Sequence, residues 1–487
     1  MPEHHQFIDT CIEKGILFLL VFTPLAFGTV QPWSVAVMEI IAFTLFFLYL
    51  IKKILEIPWS LPEQSPRFLS AIRHLPYVLC LLFFLLCLFQ LLPLPEALLK
   101  AISPSSLATY QDFSNGPADA FHPVSLNTDA TRQELFRLLC YAAIFFVIVS
   151  HYRTKDQVYS LVKTILFMGG FMVVFAIVQK MTWNGRIFWI YPVDEAIRPG
   201  RIWASYVNYD HFAGYMEMAI PLGMGLLLYR APRVATLPEA PLSLKMARFM
   251  ASENLAQYSL MFLLVLLMTA AIFGTFSRGG ILAFVFSSLF FAWITSRRRS
   301  LKQKTGLLAF LAAVIFIVVV VASWDRLEDR FADLEQDHVS RFSVWKDSIG
   351  IVRDYPVLGT GLGTFKNAYM RYQTSMSRVL FDHAHNDYVE LFTDTGSAGF
   401  LLGAGAGLVF FRNVFRRWRQ KRSMFGKCIG AGGLASLVAI AIHSFVDFNL
   451  HIPANAMLFA VISAITYAAI FNVTDKNGVL PDTAQLR

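Results

Sequence analysis

Charge is what this sequence has least of. Acidic and basic residues make up 15% of its 487 residues, where a soluble domain carries about a quarter. A soluble fold of this size must show water a polar surface, so the deficit excludes an ordinary water-soluble protein. Paired cysteines are missing too. Cys11, Cys80, Cys87, Cys140 and Cys428 form no CxxC motif and lie mostly in or beside apolar stretches, which argues against a disulfide framework or a thiolate metal cage. The net charge of +9 is not gathered on a soluble basic face, so nucleic acid is not an expected partner. The opening MPEHHQFIDTCIEKG lacks the basic n-region of a cleaved signal peptide, so the first apolar run is expected to be a retained helix. No internal repeat is visible, and an inverted-repeat transporter gains no support.

What fills the chain instead is apolar. Mean hydropathy is +0.53, and 56% of residues are hydrophobic, 45 of them Phe. A helical span needs about 20 apolar residues. Such stretches fall at 15–31, 34–51, 76–93, 135–151, 158–179, 210–229, 257–275, 279–295, 306–323, 387–411, 428–446 and 453–471. The expected fold is therefore an all-α polytopic membrane protein of about twelve spans. Nine occupy 1–323, a long polar loop fills 324–386, three more occupy 387–471, and 472–487 form a tail.

Basic residues orient this set, because they collect in loops left on the cytoplasmic side. SRRRSLKQK, between spans eight and nine, has five basic residues and no acid, and RNVFRRWRQKRSMFGK, between spans ten and eleven, has seven and no acid. Lys52 and Lys53 follow span two, and Arg230, Arg233, Lys245 and Arg248 follow span six. The alternate short links, TVQPW after span one and VDFNLHI after span eleven, are nearly free of basic residues. Both termini are thus expected in the cytoplasm. On the outer side fall 94–134, 180–209, the turn around Arg278, and the loop 324–386. That loop begins WDRLEDRFADLEQDHVSRFSVW, whose alternation at helical spacing predicts one or two amphipathic helices. It continues into YPVLGTGLGTF, which a helix cannot follow.

Three outer positions stand out. Arg278 sits in TFSRGG with almost no loop around it. A lone boundary arginine usually snorkels to headgroups or caps a helix, but the paired glycines permit close approach of another group. Arg198 and Arg201 precede YVNYDHFAGY. They suit an interfacial anchor with its aromatic belt or, equally, a guanidinium fork for a phosphate or diphosphate. His385 closes the long loop in HAHNDYVELFTDTGSAG. A neutral imidazole is a common general base. His383, two residues away, lacks the i, i+4 spacing of a helical zinc pair, so no metal is expected. Asp382, Asp387 and Glu390 are candidates to orient an imidazole or, as the lesser alternative, to bind a divalent cation.

The run His385, Asn386, nine residues, Gly396, two residues, Gly399 resembles the signature of the O-antigen ligase superfamily. That superfamily also holds O-antigen polymerases and bacterial protein O-oligosaccharyltransferases. SRGG at 277–280, the arginine before YVNYDHFAGY, and the stretch from Arg341 through Trp345 to Pro356, Gly359, Gly361 and Gly363 resemble its other marks. The resemblance implies a GT-C-type glycosyltransferase of the bacterial inner membrane, with its active site on the periplasmic face. Its donor would be a glycan on undecaprenyl diphosphate, and its acceptor a lipid A-core sugar or a growing lipid-linked glycan. No cofactor, metal or nucleotide sugar is implied. His385, Arg278 and Arg201 take the catalytic roles, base and diphosphate clamp. Arg198, Asn386, Arg341 and His383 are candidate substrate contacts, and Arg198 competes with Arg201 for the diphosphate. Ligase is favoured over polymerase. A protein transferase is disfavoured because only about fifteen polar residues follow the last span. A lipid-linked-sugar transporter would need mid-span ionisable residues, for which His443 and Asp447 are the main candidates.

Overall fold

A computed structural model of the chain describes residues 2–56, 71–113, 121–192, 201–231, 255–296, 327–374 and 381–473, with side chains from 6, 75 and 341 in the segments that begin at 2, 71 and 327. The described elements run α1 (Pro2–Leu25), α2 (Pro32–Leu55), α3 (Ala71–Gln90), α4 (Glu96–Ile102), α5 (Pro104–Phe113), α6 (Thr128–His151) and α7 (Lys155–Met181). A two-stranded antiparallel hairpin follows, β1 (Arg186–Ile187) with β2 (Tyr191–Pro192). Then come α8 (Tyr209–Arg230), α9 (Leu255–Thr275), α10 (Arg278–Ser296), α11 (Leu327–Asp354), α12 (Phe365–Tyr369), α13 (Asp387–Gln420), α14 (Met424–His443) and α15 (Pro453–Tyr467). Apart from that hairpin and one isolated bridge, Leu94 to His122, the described residues are helix and connection.

Nine described helices are long and apolar enough to cross a membrane, and the chain is a multi-pass membrane protein. Of the other three expected spans, span one enters α1, which ends at Leu25 because Phe27, Gly28 and Thr29 all adopt positive φ. Span three is the shorter apolar helix Leu75–Gln90. Span nine, 306–323, lies outside the described residues.

The helix starts are written into the sequence as caps. Asn127, Thr154, Asn208, Asn386 and Ser423 each accept backbone N–H groups of the turn they precede, while Pro32 and Pro453 open α2 and α15. α8 is the axis of the bundle and is buried on every side over most of its length. It packs on α14 through small residues: a methyl on Gly225 would meet the Cys428 carbonyl oxygen at 2.5 Å, and one on Gly432 the Pro221 oxygen at 2.6 Å. Such close backbone approach is how helices associate in lipid, where apolar side chains gain nothing by leaving the bilayer.

α13 differs most from its sequence reading. It was expected over 387–411, but the basic run after it consists of good helix formers and continues the helix to Gln420. It is also broken. Gly396, with φ 63 and ψ −170, sits in a region that essentially only glycine populates. The loop YPVLGTGLGTF docks on this break: Ser397 N donates to the Pro356 carbonyl (2.9 Å), Thr360 N to Thr393 (3.0 Å) and Gly361 N to Asp394 (2.9 Å). The Asp394 carboxylate accepts Gly363 N at 2.6 Å, and Gln90 of α3 donates to the Asp394 carbonyl at 2.9 Å. Gly359 and Gly396 face one another so closely that a methyl on Gly396 would meet the Val357 oxygen at 2.2 Å. Gly396→Ala is therefore expected to destabilise the protein by about 1–3 kcal/mol from backbone strain alone. Gly407→Ala, whose added methyl meets nothing within 4 Å, should not. Thermal unfolding in detergent checks this, and equal melting temperatures for the two variants would contradict it.

The expected amphipathic segment is one long helix, α11, whose Val344, Ile351 and neighbouring Tyr355 build a small core with Phe365, Tyr369 and Ala384. Trp345 fastens it to the segment before α13, its indole N–H donating to the Ala384 carbonyl at 2.9 Å.

Candidate active site

The segment 383–387 is where the site is set. His385 has φ 50, a left-handed conformation that His tolerates better than most residues. The next residues hold it there. Asn386 accepts the N–H groups of Tyr388 (3.0 Å) and Val389 (3.1 Å) as the helix cap and donates to the Phe445 carbonyl at 2.9 Å. Asp387 N donates to the Ser444 carbonyl at 2.9 Å. The turn 444–452 between α14 and α15 is thereby stitched alongside the start of α13.

That turn delivers Asp447. Its Oδ1 lies 3.4 Å from His385 Nδ1, and its Oδ2 lies 3.8 Å from His211 Nε2 and 3.3 Å from Asn449 Nδ2. Asn449 in turn accepts from Asn455, and Tyr206 donates to Asn455 at 3.0 Å. Gly214 makes room for this chain, since a methyl there would meet Asn449 Oδ1 at 2.1 Å. Burial alone would raise the Asp447 carboxyl. The hydrogen bond to His385 and the nearby His211 and His443 outweigh it and hold the group below the usual carboxylate range. The Asp447 carboxylate faces His385 Nδ1, the arrangement that holds an imidazole in one tautomer and orientation. The His385 side chain is 25% exposed. Phe448 stands among the histidines as a common wall: its ring stacks on His383 at 4.2 Å and meets His385 at 4.9 Å and His211 at 4.7 Å edge-on.

Arg278 is exposed at the first position of α10. Ser277 caps that helix by accepting Gly280 N at 3.1 Å. A cation at a helix N-terminus faces the positive end of the dipole, so the helix itself does not favour Arg278 there. Gly279 lets this turn close on the Asp447 turn: a methyl there would meet the His443 ring at 2.7 Å and Val446 at 2.8 Å. Arg201 joins the same rim. Its neighbour Ile202 donates its N–H to the Gly274 carbonyl at 3.1 Å, shortly before Arg278, and its guanidinium lies 4.0 Å over the Tyr209 ring. Arg198 lies outside the described residues.

Arg341 is tied to the protein, donating to the Val446 carbonyl at 2.7 Å and to Asp210 at 3.4 Å. It clamps α11 over α8 and the 444–452 turn. The three acids considered as orienting groups for an imidazole turn elsewhere than to His385. Asp382 pairs with Lys366 at 2.8 Å, Glu390 with His383 at 2.8 Å, and Asp387 with His451 at 2.9 Å. Gly399 packs against α3, where a methyl would come within 3.1 Å of Leu86.

Residues 263–404 match the family model described as O-antigen ligase. Over that stretch the match supports the chain's resemblance to the O-antigen ligase superfamily. No curated protein matches the chain. The matched stretch contains Arg278, Arg341, His383, His385, Asn386, Gly396 and Gly399. Arg201, His211, Asp447 and His451 lie outside it; α8 carries His211, and the 444–452 turn carries Asp447 and His451.

Proposed function

We propose that this chain is an O-antigen-ligase-type glycosyltransferase acting on the periplasmic face of the bacterial inner membrane, with a GT-C-type fold and both termini cytoplasmic. It moves a glycan from undecaprenyl diphosphate to an acceptor hydroxyl, and its first acceptor is a lipid A-core sugar. The observation that carries this reading is the pairing of His385 Nδ1 with the buried carboxylate of Asp447, on a rim that also carries Arg201 and Arg278.

The step balances as a single displacement. The acceptor oxygen attacks the anomeric carbon as its proton passes to His385 Nε2. The bond from that carbon to the diphosphate oxygen breaks, and undecaprenyl diphosphate leaves with the electron pair, inverting the configuration. Asp447 stabilises the imidazolium that forms. Arg201 and Arg278 take the growing charge of the diphosphate, the role that pre-positioned donors perform best in a site screened from water, and no cation is needed there. His383 and Arg341 act as supports of the rim.

Arg278 gives a graded test. Arg278→Ala is expected to lower kcat by roughly 10²–10³-fold, the usual cost of one such donor. Arg278→Lys should fall between Ala and wild type, because charge remains while the bidentate fork is lost. Steady-state transfer rates check this, and a wild-type rate for Arg278→Ala would remove Arg278 from the diphosphate. Offering lipid A-core and a lipid-linked glycan separately distinguishes ligase from polymerase. A transporter would form no glycosidic bond with either.

A further inference from the structure

Next to the His385 and Asp447 pair lies a second constellation that touches no reacting atom in the proposed transfer. His383 Nδ1 is 2.8 Å from Glu390 Oε1, and His451 Nε2 is 3.3 Å from the same oxygen. All three ligand atoms fall within 4.8 Å of one another. They come from three places in the fold: the segment before α13, the first turn of α13, and the turn before α15. Nitrogen and oxygen ligands sit about 2.0–2.2 Å from a tetrahedral zinc ion, which puts them about 3.3–3.6 Å from each other. The His451 distance of 3.3 Å already matches that, and the His383 distance of 2.8 Å needs to open by about half an ångström.

The surroundings also fit. Metal-binding histidines donate their other nitrogen to a carboxylate or carbonyl, which fixes the ring and its tautomer. His451 does this, with Nδ1 on Asp387 Oδ1 at 2.9 Å, and Asp387 is itself held by the Ser444 hydroxyl at 2.6 Å. The second oxygen of Glu390 accepts Ala384 N at 3.1 Å. Glu390 is buried, while the side chains of His383 and His451 are 31% and 19% exposed. One side of the cluster is thus open to water.

We propose that His383, Glu390 and His451 bind a divalent transition-metal ion, zinc by its ligand type, with water completing the coordination. The ion pins the segment carrying His385 to the turn carrying Asp447, and so positions the base without touching the diphosphate. His385 is not a ligand, since its Nδ1 faces Asp447. A proton can hold the same place.

The test is metal content and ligand-field spectra of full-length protein, purified in detergent without a histidine tag. Zinc is measured after gel filtration, and Co²⁺ exchanged for it gives visible bands that report nitrogen and oxygen ligation. Wild type and His385→Asn are expected to retain one zinc per chain and to show those bands. His383→Ala and His451→Ala should each bind at least about 10–100-fold more weakly, the scale on which even outer-shell changes act. Wild type that retains no zinc and gives no cobalt bands overturns the proposal, whatever the variants do. So does retention in folded His383→Ala. Neither result bears on glycan transfer, which is read separately.

Discussion

His385→Asn is expected to cut glycan transfer by roughly 10²–10⁴-fold, the share that a positioned general base supplies, with membrane insertion and melting temperature unchanged. Asn is the better replacement than Ala because the backbone at this position has φ 50, a conformation that Asn tolerates and Ala resists. The amide removes the base and keeps the turn. The side chain is a quarter exposed, so little packing is lost. The loss should appear in kcat, with the donor KM nearly unchanged, since the arginines that hold the diphosphate are untouched. Initial rates of linkage formation at varied donor concentration check this. A His385→Asn protein within a few-fold of the wild-type rate would sink the base assignment.

Asp447→Asn is expected to cost nearly as much, roughly 10²–10⁴-fold in kcat, because the carboxylate that fixes the imidazole tautomer and stabilises the imidazolium is replaced by a neutral group. Asn is similar in size and can still accept the His385 proton, so the fold should survive. Asp447→Glu keeps the charge and should recover part of the rate. A purely structural role predicts the opposite order, with Asn mild and the longer Glu harmful in a site where Asp447 is 1% exposed. Rates and melting temperatures of the two variants, taken together, separate these accounts.

Nine of the spans were legible because a helix in lipid needs a continuous apolar run, which sequence shows directly. The His385 to Gly399 signature was legible as a pattern, but its mechanics were not. Asn386 is a helix cap, Gly396 a break on which a distant loop docks, and Gly399 a contact with α3. Only the placement of 356–363 against 393–398 shows why position 396 must be glycine. The partner of His385 was missed for a related reason. Asp387 and Glu390 stand nearest in sequence, yet α13 turns them toward His451 and His383, and Asp447 arrives from the far side of α14. VDFNLHI was read for its lack of positive charge, although its Asp447 and His451, with the half-buried Phe448 between them in sequence, carry the site's electrostatics. Asp447 had drawn notice only as a possible mid-span charge. His451 and His211 gave no local signal at all, since a lone histidine has neither spacing nor neighbours to mark it. The basic run after span ten was taken as a loop because charge ends a span; here it is helix that continues past the apolar core to Gln420.

The central claim is bond formation at this rim. The measurement that tests it most directly incubates the purified protein with an undecaprenyl-diphosphate-linked glycan and lipid A-core, and follows glycosylated acceptor and released undecaprenyl diphosphate together. The account predicts one lipid diphosphate released per glycan transferred, and loss of both products in His385→Asn. Wild-type protein that forms no glycosidic bond with either acceptor class, in a preparation that is folded and binds the donor, would contradict it.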